Sequence, residues 1–192
     1  AMGDNVMLLG PAGSGKALDN NTPIAVNDAR GYVRIADIEV GDEVFDEAGQ
    51  PTRVLGVYPQ GSIGAIRVSF TGGSSLVCNG EHIFTARREG EDWQDITVAE
   101  MMAAGGAWFI PQAKAIERED MSFVDATTLI LDEDLLLGSL SDRKYFVDTY
   151  LEKYVKLTAL GMESVEFDNP SHAKLFATLA ASVGYRSGIA TR

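Results

Sequence analysis

The sequence predicts a mainly β fold with a small α/β appendage, and three observations carry that expectation. From residue 24 to residue 86, short runs that alternate apolar and polar side chains are separated by glycine and aspartate turns. One short helix with its own start and stop signals interrupts the pattern near residue 97. Beyond about residue 120 the apolar repeat lengthens to the period of about 3.6 residues expected of helices.

The individual elements follow in order. Gly31 to Ile35, Glu43 to Phe45, Arg53 to Tyr58, Ala65 to Phe70, Ser75 to Cys78 and Ile83 to Ala86 read as strands, and so many short strands imply a compact all-β unit. Thr97, with Glu100 three residues on, forms a capping box; Val98, Met101 and Met102 give the helix an apolar face, and Gly105-Gly106 ends it. A strand from Ala107 to Pro111 is expected to close the unit. In the appendage, Phe146, Tyr150, Leu151, Tyr154 and Leu157 recur at helical spacing, with Asp142 as cap and Gly161 as stop. A short strand, Ser164 to Phe167, precedes a second helix with Asn169 as N-cap, Pro170 as its first residue and its end at Gly184. Ser187 to Thr191 has the look of a further strand.

Composition narrows the chemistry. The chain has 192 residues, 45% of them hydrophobic, enough to bury a full core and a second, smaller domain. It has no stretch of about 18 continuous apolar residues and no basic start followed by a small-residue cleavage site, so the expected compartment is cytoplasmic. One cysteine, Cys78, excludes an internal disulfide framework; with only His82 and His172 beside it, no closed zinc site is expected, and neither metal nor cofactor enters the predicted chemistry. A formal charge of −12 argues against a nucleic-acid surface and favours basic partners.

The N-terminal segment carries a motif of a different kind. Gly10-Pro11-Ala12-Gly13-Ser14-Gly15-Lys16 matches the phosphate-binding loop of nucleotide-binding proteins, and Asn5 to Leu9 is the apolar strand that feeds such a loop. The pattern then demands Ser or Thr to hold magnesium, and a helix; the chain supplies Ala17 and a turn-rich stretch broken by Pro23. The loop is therefore interrupted after Lys16, and a second protein begins at residue 17.

What begins there resembles a known family. Leu18-Asp19-Asn20-Asn21-Thr22-Pro23-Ile24-Ala25-Val26, followed by Ile35-Ala36-Asp37-Ile38-Glu39-Val40-Gly41-Asp42-Glu43-Val44-Phe45, resembles the opening of an intein's Hint domain, the horseshoe-like β fold that performs protein splicing. Leu76-Val77-Cys78-Asn79-Gly80-Glu81-His82-Ile83-Phe84-Thr85 is similar to the family's histidine-containing block. The resemblance implies an N-extein at residues 1–16 (with Ala1 a tag remnant), the N-terminal part of the splicing domain at residues 17–118, and a third region at residues 119–192.

The resemblance also implies roles and departures. Residue 17 should be the Cys or Ser nucleophile that attacks the carbonyl of Lys16, so Ala17 marks a replaced nucleophile at the scissile Lys16-Ala17 junction. His82 is the acid for the departing amide nitrogen, and Asn79, where the family usually has Thr, is the orienting group. The family's closing His-Asn blocks are absent, which implies a complementary C-terminal fragment, basic in charge, carrying the terminal Asn and an extein that begins with Ser or Thr. The reaction is autocatalytic and single-turnover, and it is blocked here at Ala17.

Arg143 to Val155 and Ser171 to Gly184 resemble a degenerate LAGLIDADG homing endonuclease, with Thr149 at the motif's glycine position and Tyr154 at its metal-binding acid. A phenol cannot replace that carboxylate, which argues against DNA cleavage. Cys78 reads as a small buried hydrophobe, His172 as an exposed residue, and Glu39, Asp42, Glu43, Asp46 and Glu47 as a solvated acidic turn region open to a basic partner. Two other classes compete with splicing: direct nucleotide binding through the loop, and a DNA-binding or endonuclease module.

Overall fold

The computed structural model describes residues 2–9 through their backbone, and residues 17–71, 74–119, 121, 122, 124–157, 163–185 and 189 with their side chains. The chain divides into two compact units. One comprises the segments up to Asp46, Pro51–Phe70 and Ser75–Gln112; the other comprises Glu47–Gln50, residues 71–74 and the segment from Ala113 onward. The boundary expected at 118/119 thus lies inside the second unit, because Lys114 N–H donates to Glu47 O at 3.0 Å and Glu117 N–H donates to Gly49 O at 2.9 Å. Gly49 sits there at φ +78, where a Cβ would overlap Ala115 O, so only glycine fits.

The first unit is antiparallel throughout. Strands β1 (Met2–Leu9), β2 (Leu18–Asp19), β3 (Pro23–Ala25), β4 (Tyr32–Arg34), β5 (Glu43–Phe45), β6 (Pro51–Arg53), β7 (Gly56–Gly64), β8 (Ile66–Ser69), β9 (Ser75–Cys78), β10 (Ile83–Ala86) and β11 (Gln94–Thr97) make one five-stranded sheet, in the order β7-β1-β2-β9-β8, and three two-stranded ones. Val26, Ile38 and Val54, each at most 3% exposed, form its core beneath Ile24, Val33, Val44 and Val57.

Several expected strands change shape here. The run Arg53 to Tyr58 divides into β6 and β7, because Val54 turns inward, donating to Asp42 O and accepting from Gly41 N–H, while Leu55 faces solvent. The strand expected at Ala107 to Pro111 reduces to a single bridge between Arg87 and Phe109. Helix α1 (Val98–Ala104) has the predicted capping box and a stop at Gly105, but Met102 is 64% exposed, since a helix of two turns buries only a narrow stripe, here Val98.

The second unit is helical, which makes the chain a mixture of small antiparallel sheets and helices and not a mainly β protein. Helix α2 (Leu140–Tyr154) is capped by Ser139, whose Oγ accepts from Asp142 N–H, and not by Asp142 itself. It stops at Tyr154, before the expected Gly161, because Lys156–Leu157 (β12) pairs with Glu163–Ser164 (β13) and leaves Leu157 exposed; Gly161 lies outside the described residues. Strand β13 replaces the longer run expected to reach Phe167. Helix α3 (Pro170–Ser182) begins as predicted, with Asn169 Oδ1 accepting from Ser171 N–H at 2.9 Å, and ends before Gly184 at φ +90. The strand expected at 187–191 falls, apart from Ile189, outside the described residues.

Phe146, Val147 and Leu179 are fully buried in this unit, and Tyr150 packs its ring against Phe146, Phe167 and Phe176 at centroid distances of 5.5, 5.9 and 4.9 Å. A charge sits inside the core. Arg143 is 1% exposed, and its guanidinium donates to Gly138 O, to Ser182 O and Oγ, and to Ile116 O, so one planar fork joins three separated segments.

Replacing Arg143 by Ala would strand those carbonyls, with an expected cost of about 3 kcal/mol. The local readout is faster hydrogen exchange of the Ile116 amide, which donates to Ser182 O. In the first unit the Asp42 carboxylate lies below its ordinary pKa because it accepts from the Glu39 backbone N–H and then from Arg30. Its contribution is therefore present above the unfolded value of about 3.9 and is lost as pH falls through the folded one. Asp42→Asn should lower stability by about 1 kcal/mol at pH 7, and urea midpoints should show the deficit shrinking as pH falls below about 3.9.

Candidate functional site

The site grows from one short pairing. β2 lies against β9 at Leu18 opposite Cys78, and the next residue along extends the contact, Asn79 N–H donating to Ala17 O at 3.2 Å. Ala17 is 1% exposed. A residue at the start of a turn-rich segment is thus drawn into a sheet interior, with its carbonyl clamped to the backbone of Asn79.

From Asn79 the chain turns to His82. His82 N–H donates to Asn79 O at 3.2 Å, which closes the Asn79-Gly80-Glu81-His82 turn. The N-terminus of α1 then fixes this turn: Val98 N–H donates to His82 O and Ala99 N–H to Gly80 O, both at 2.9 Å. First-turn amides of a helix have no partner within it, so the turn's carbonyls and the helix satisfy each other. The Thr97–Glu100 capping box takes the remaining donors, and the Thr97 hydroxyl and amide hold the Glu100 carboxylate below its usual range.

The side chains are placed by what surrounds them. His82 is 6% exposed and meets Phe84, two residues on, edge-to-face at 4.8 Å; Phe84 in turn meets Phe70 at 6.5 Å. Among the described residues, Asn79 Oδ1 is buried and finds no hydrogen-bond donor, and Asn20 Oδ1, two residues beyond Leu18, is in the same state. A buried carbonyl oxygen without a donor is costly.

Ala17, Asn79 and His82 are therefore brought into one continuous hydrogen-bonded path. Lys16 and the whole loop from Gly10 lie outside the described residues. Cys78 is fully buried, and burial pushes its thiol pKa up, as suits a packing residue. His172 is exposed on the first turn of α3. The acidic turn region is less open than its composition suggests, since Asp42 pairs with Arg30 at 2.8 Å and Glu43 accepts from Asn27 Nδ2 at 3.0 Å. Tyr154 ends α2, half-exposed, with its ring 4.6 Å from that of Tyr150. Among the described residues no three His, Cys, Asp or Glu side chains are grouped to hold a metal, and no helix is long and apolar enough to cross a membrane.

Sequence reasoning passed over two contributors. Asn20 was hidden among turn formers, and nothing in its neighbours signals a buried oxygen. Phe84 was legible in principle, because residues two apart on a strand share a face. Comparison with protein-family models, with curated proteins and with solved structures returned no match to this chain.

The tight space at residue 17 can be tested directly. Ala17→Cys or Ala17→Ser adds one heavy atom and should change stability by less than about 1 kcal/mol, whereas Ala17→Leu should cost about 1–3 kcal/mol through overpacking. Urea denaturation of the three variants separates these outcomes.

Proposed function

We propose that the chain carries the N-terminal part of a Hint-type protein-splicing domain, which begins at Ala17 and is interrupted at its nucleophile. The single observation that carries this reading is the backbone path from Ala17 O through Asn79 to His82, which links the junction residue to a buried histidine. The sequence resemblance in two separate blocks supports it, and the antiparallel sheets of the first unit are compatible with a Hint fold.

The chemistry is an acyl shift. With Cys or Ser at position 17, the side-chain sulfur or oxygen attacks the carbonyl carbon of Lys16, forming a C–S or C–O bond while its own proton passes to solvent, from which His82 is later reprotonated. The C–N bond to residue 17 then breaks, and the nitrogen leaves as an amine with a proton supplied by His82. Asn79, bonded through its backbone N–H to the residue 17 carbonyl, is the residue proposed to orient the scissile peptide. The hydrogen bond from Asn79 N–H to the residue 17 carbonyl keeps that residue from moving while its amide is broken. Transesterification to the first residue of the C-extein, cyclisation of a terminal Asn and a final shift to the amide complete ligation. The segment that supplies those last groups comes from sequence outside residues 17–192. Ala17 has no nucleophilic atom, so the chain as it stands is held before the first step.

Direct nucleotide binding is the weaker reading, because residue 17 enters a buried strand pairing where that chemistry needs a helix. Endonuclease activity is weaker still, because Tyr154 replaces the carboxylate.

The test restores the nucleophile. Ala17→Cys, mixed with the complementary segment, should release or ligate the 16 residues ending at Lys16, as read by mass spectrometry with and without hydroxylamine. In that background His82→Ala should slow cleavage by about 10²–10⁴-fold, the range for loss of a general acid. Absence of both cleavage and ligation would overturn the proposal, and an unchanged rate in His82→Ala would remove that residue from it.

A further inference from the structure

Helix α1 sits against the histidine turn with little packing to hold it there. Val98 is its one buried residue, Met101 is half-buried, and Ala99, Glu100, Met102, Ala103 and Ala104 face solvent. A helix of two turns frays unless its ends are tied. The N-terminal end is tied by the capping box and by the amides of Val98 and Ala99 on the carbonyls of His82 and Gly80. The C-terminal end is tied by a side chain: Arg88 Nη2 donates to Ala104 O at 2.7 Å and to Gly105 O at 2.9 Å. The last carbonyls of a helix have no partner within it and form the negative end of its dipole, so a cation there satisfies them and is itself favoured.

Arg88 is fixed in turn. Its guanidinium lies over Trp108, 4.7 Å from the ring centre, and its neighbour Arg87 exchanges backbone hydrogen bonds of 3.0 and 2.8 Å with Phe109. The strand β10 (Ile83–Ala86) begins directly after His82 and ends two residues before Arg88. β11 pairs with it from Thr97 opposite Ile83 to Gln94 opposite Ala86, and runs straight into α1. The histidine and arginine ends of one strand therefore grip the same helix, one at each terminus.

We infer that Arg88 is a positioning residue for the first splicing step: by clamping the C-terminus of α1 it keeps the Val98 and Ala99 amides on the turn that carries His82, and so holds the imidazole where its proton is delivered. The inference rests on the splicing reading. Arg88 acts through the helix and not on the reacting atoms. A displacement of about 1 Å at a catalytic group can cost about 10²-fold in rate; releasing one end of the helix leaves the histidine present, so the expected loss is about tenfold. Both clamping bonds come from a single nitrogen, so a compact ammonium can make them too, and it is likewise attracted to the ring face. Arg88→Lys should therefore keep the clamp, and Arg88→Met, which retains an apolar stem without a donor, should lose it.

The experiment has two arms. The first follows amide hydrogen exchange in the chain with Ala17 in place. Arg88→Met should speed exchange at Val98 and Ala99 by at least about tenfold, the mark of local opening, and leave the core amide of Val26, which donates to Gly31 O, unchanged. Arg88→Lys should exchange like the parent. Parental exchange at Val98 and Ala99 in Arg88→Met, or equal acceleration at Val26, would overturn the inference. Should Arg88→Met fail to fold, Trp108→Leu, which leaves the donor but removes the ring that holds it, is read by the same criteria. The second arm measures cleavage after Lys16 in the Ala17→Cys background mixed with the complementary segment. Arg88→Met should slow it about tenfold and Arg88→Lys by less than about threefold. Combined with His82→Ala, Arg88→Met should slow it no further, because the helix then has no acid to position, whereas a general structural defect would add to the loss. An unchanged rate in Arg88→Met, a rate in Arg88→Lys as low as in Arg88→Met, or a further loss in the His82→Ala background would overturn the inference and leave the splicing reading standing. No cleavage in the Ala17→Cys parent would overturn the splicing reading and this inference with it.

Discussion

The arrangement around residue 17 depends on one register, Leu18 opposite Cys78, with the Asn79 N–H on the Ala17 carbonyl. Strand side chains alternate faces with a period of two, so a slip of one residue would turn Ala17 outward and move Asn79 off the junction. The pairing is only a few residues long and gains little on its own. It is held by what flanks it: β8 on the far edge of β9, and the turn to His82 that leaves β9 directly after Cys78.

That turn is positioned by a helix too short to persist alone. α1 has two turns, below the length at which an isolated helix is stable in water, so its worth lies in its first amides. Val98 and Ala99 spend them on the carbonyls of His82 and Gly80, and the capping box satisfies the rest. A local sequence signal, Thr97 with Glu100, thereby fixes a histidine more than a dozen residues upstream. The second unit applies the same accounting to a buried cation, with Arg143 serving carbonyls that would otherwise be left unpaired beside α2 and α3.

The fold was legible where a residue's effect is local. Strands β5, β9 and β10, the capping box and the Asn169–Pro170 start of α3 all stand where the pattern put them, because alternation, caps and proline act within a few residues. Errors collected where a distant partner decides. Val54 broke an apparently continuous strand because the core drew it in, and Leu157 left an apparently continuous helix to pair with residue 163.

The sequence by itself determined that residues 10–16 match a phosphate-binding loop pattern without the Ser or Thr that should follow, that a β-rich segment comes after, and that Ala17 offers no nucleophile, since each of these is written in residue identity and short spacing. Only the tertiary structure decided that residue 17 is buried, that Asn79 grips its carbonyl, and that Asn79 Oδ1 is buried with no donor among the described residues. The physical reason is that burial and hydrogen-bond satisfaction belong to pairs of segments some sixty residues apart, and neither segment alone encodes whether its partner will arrive.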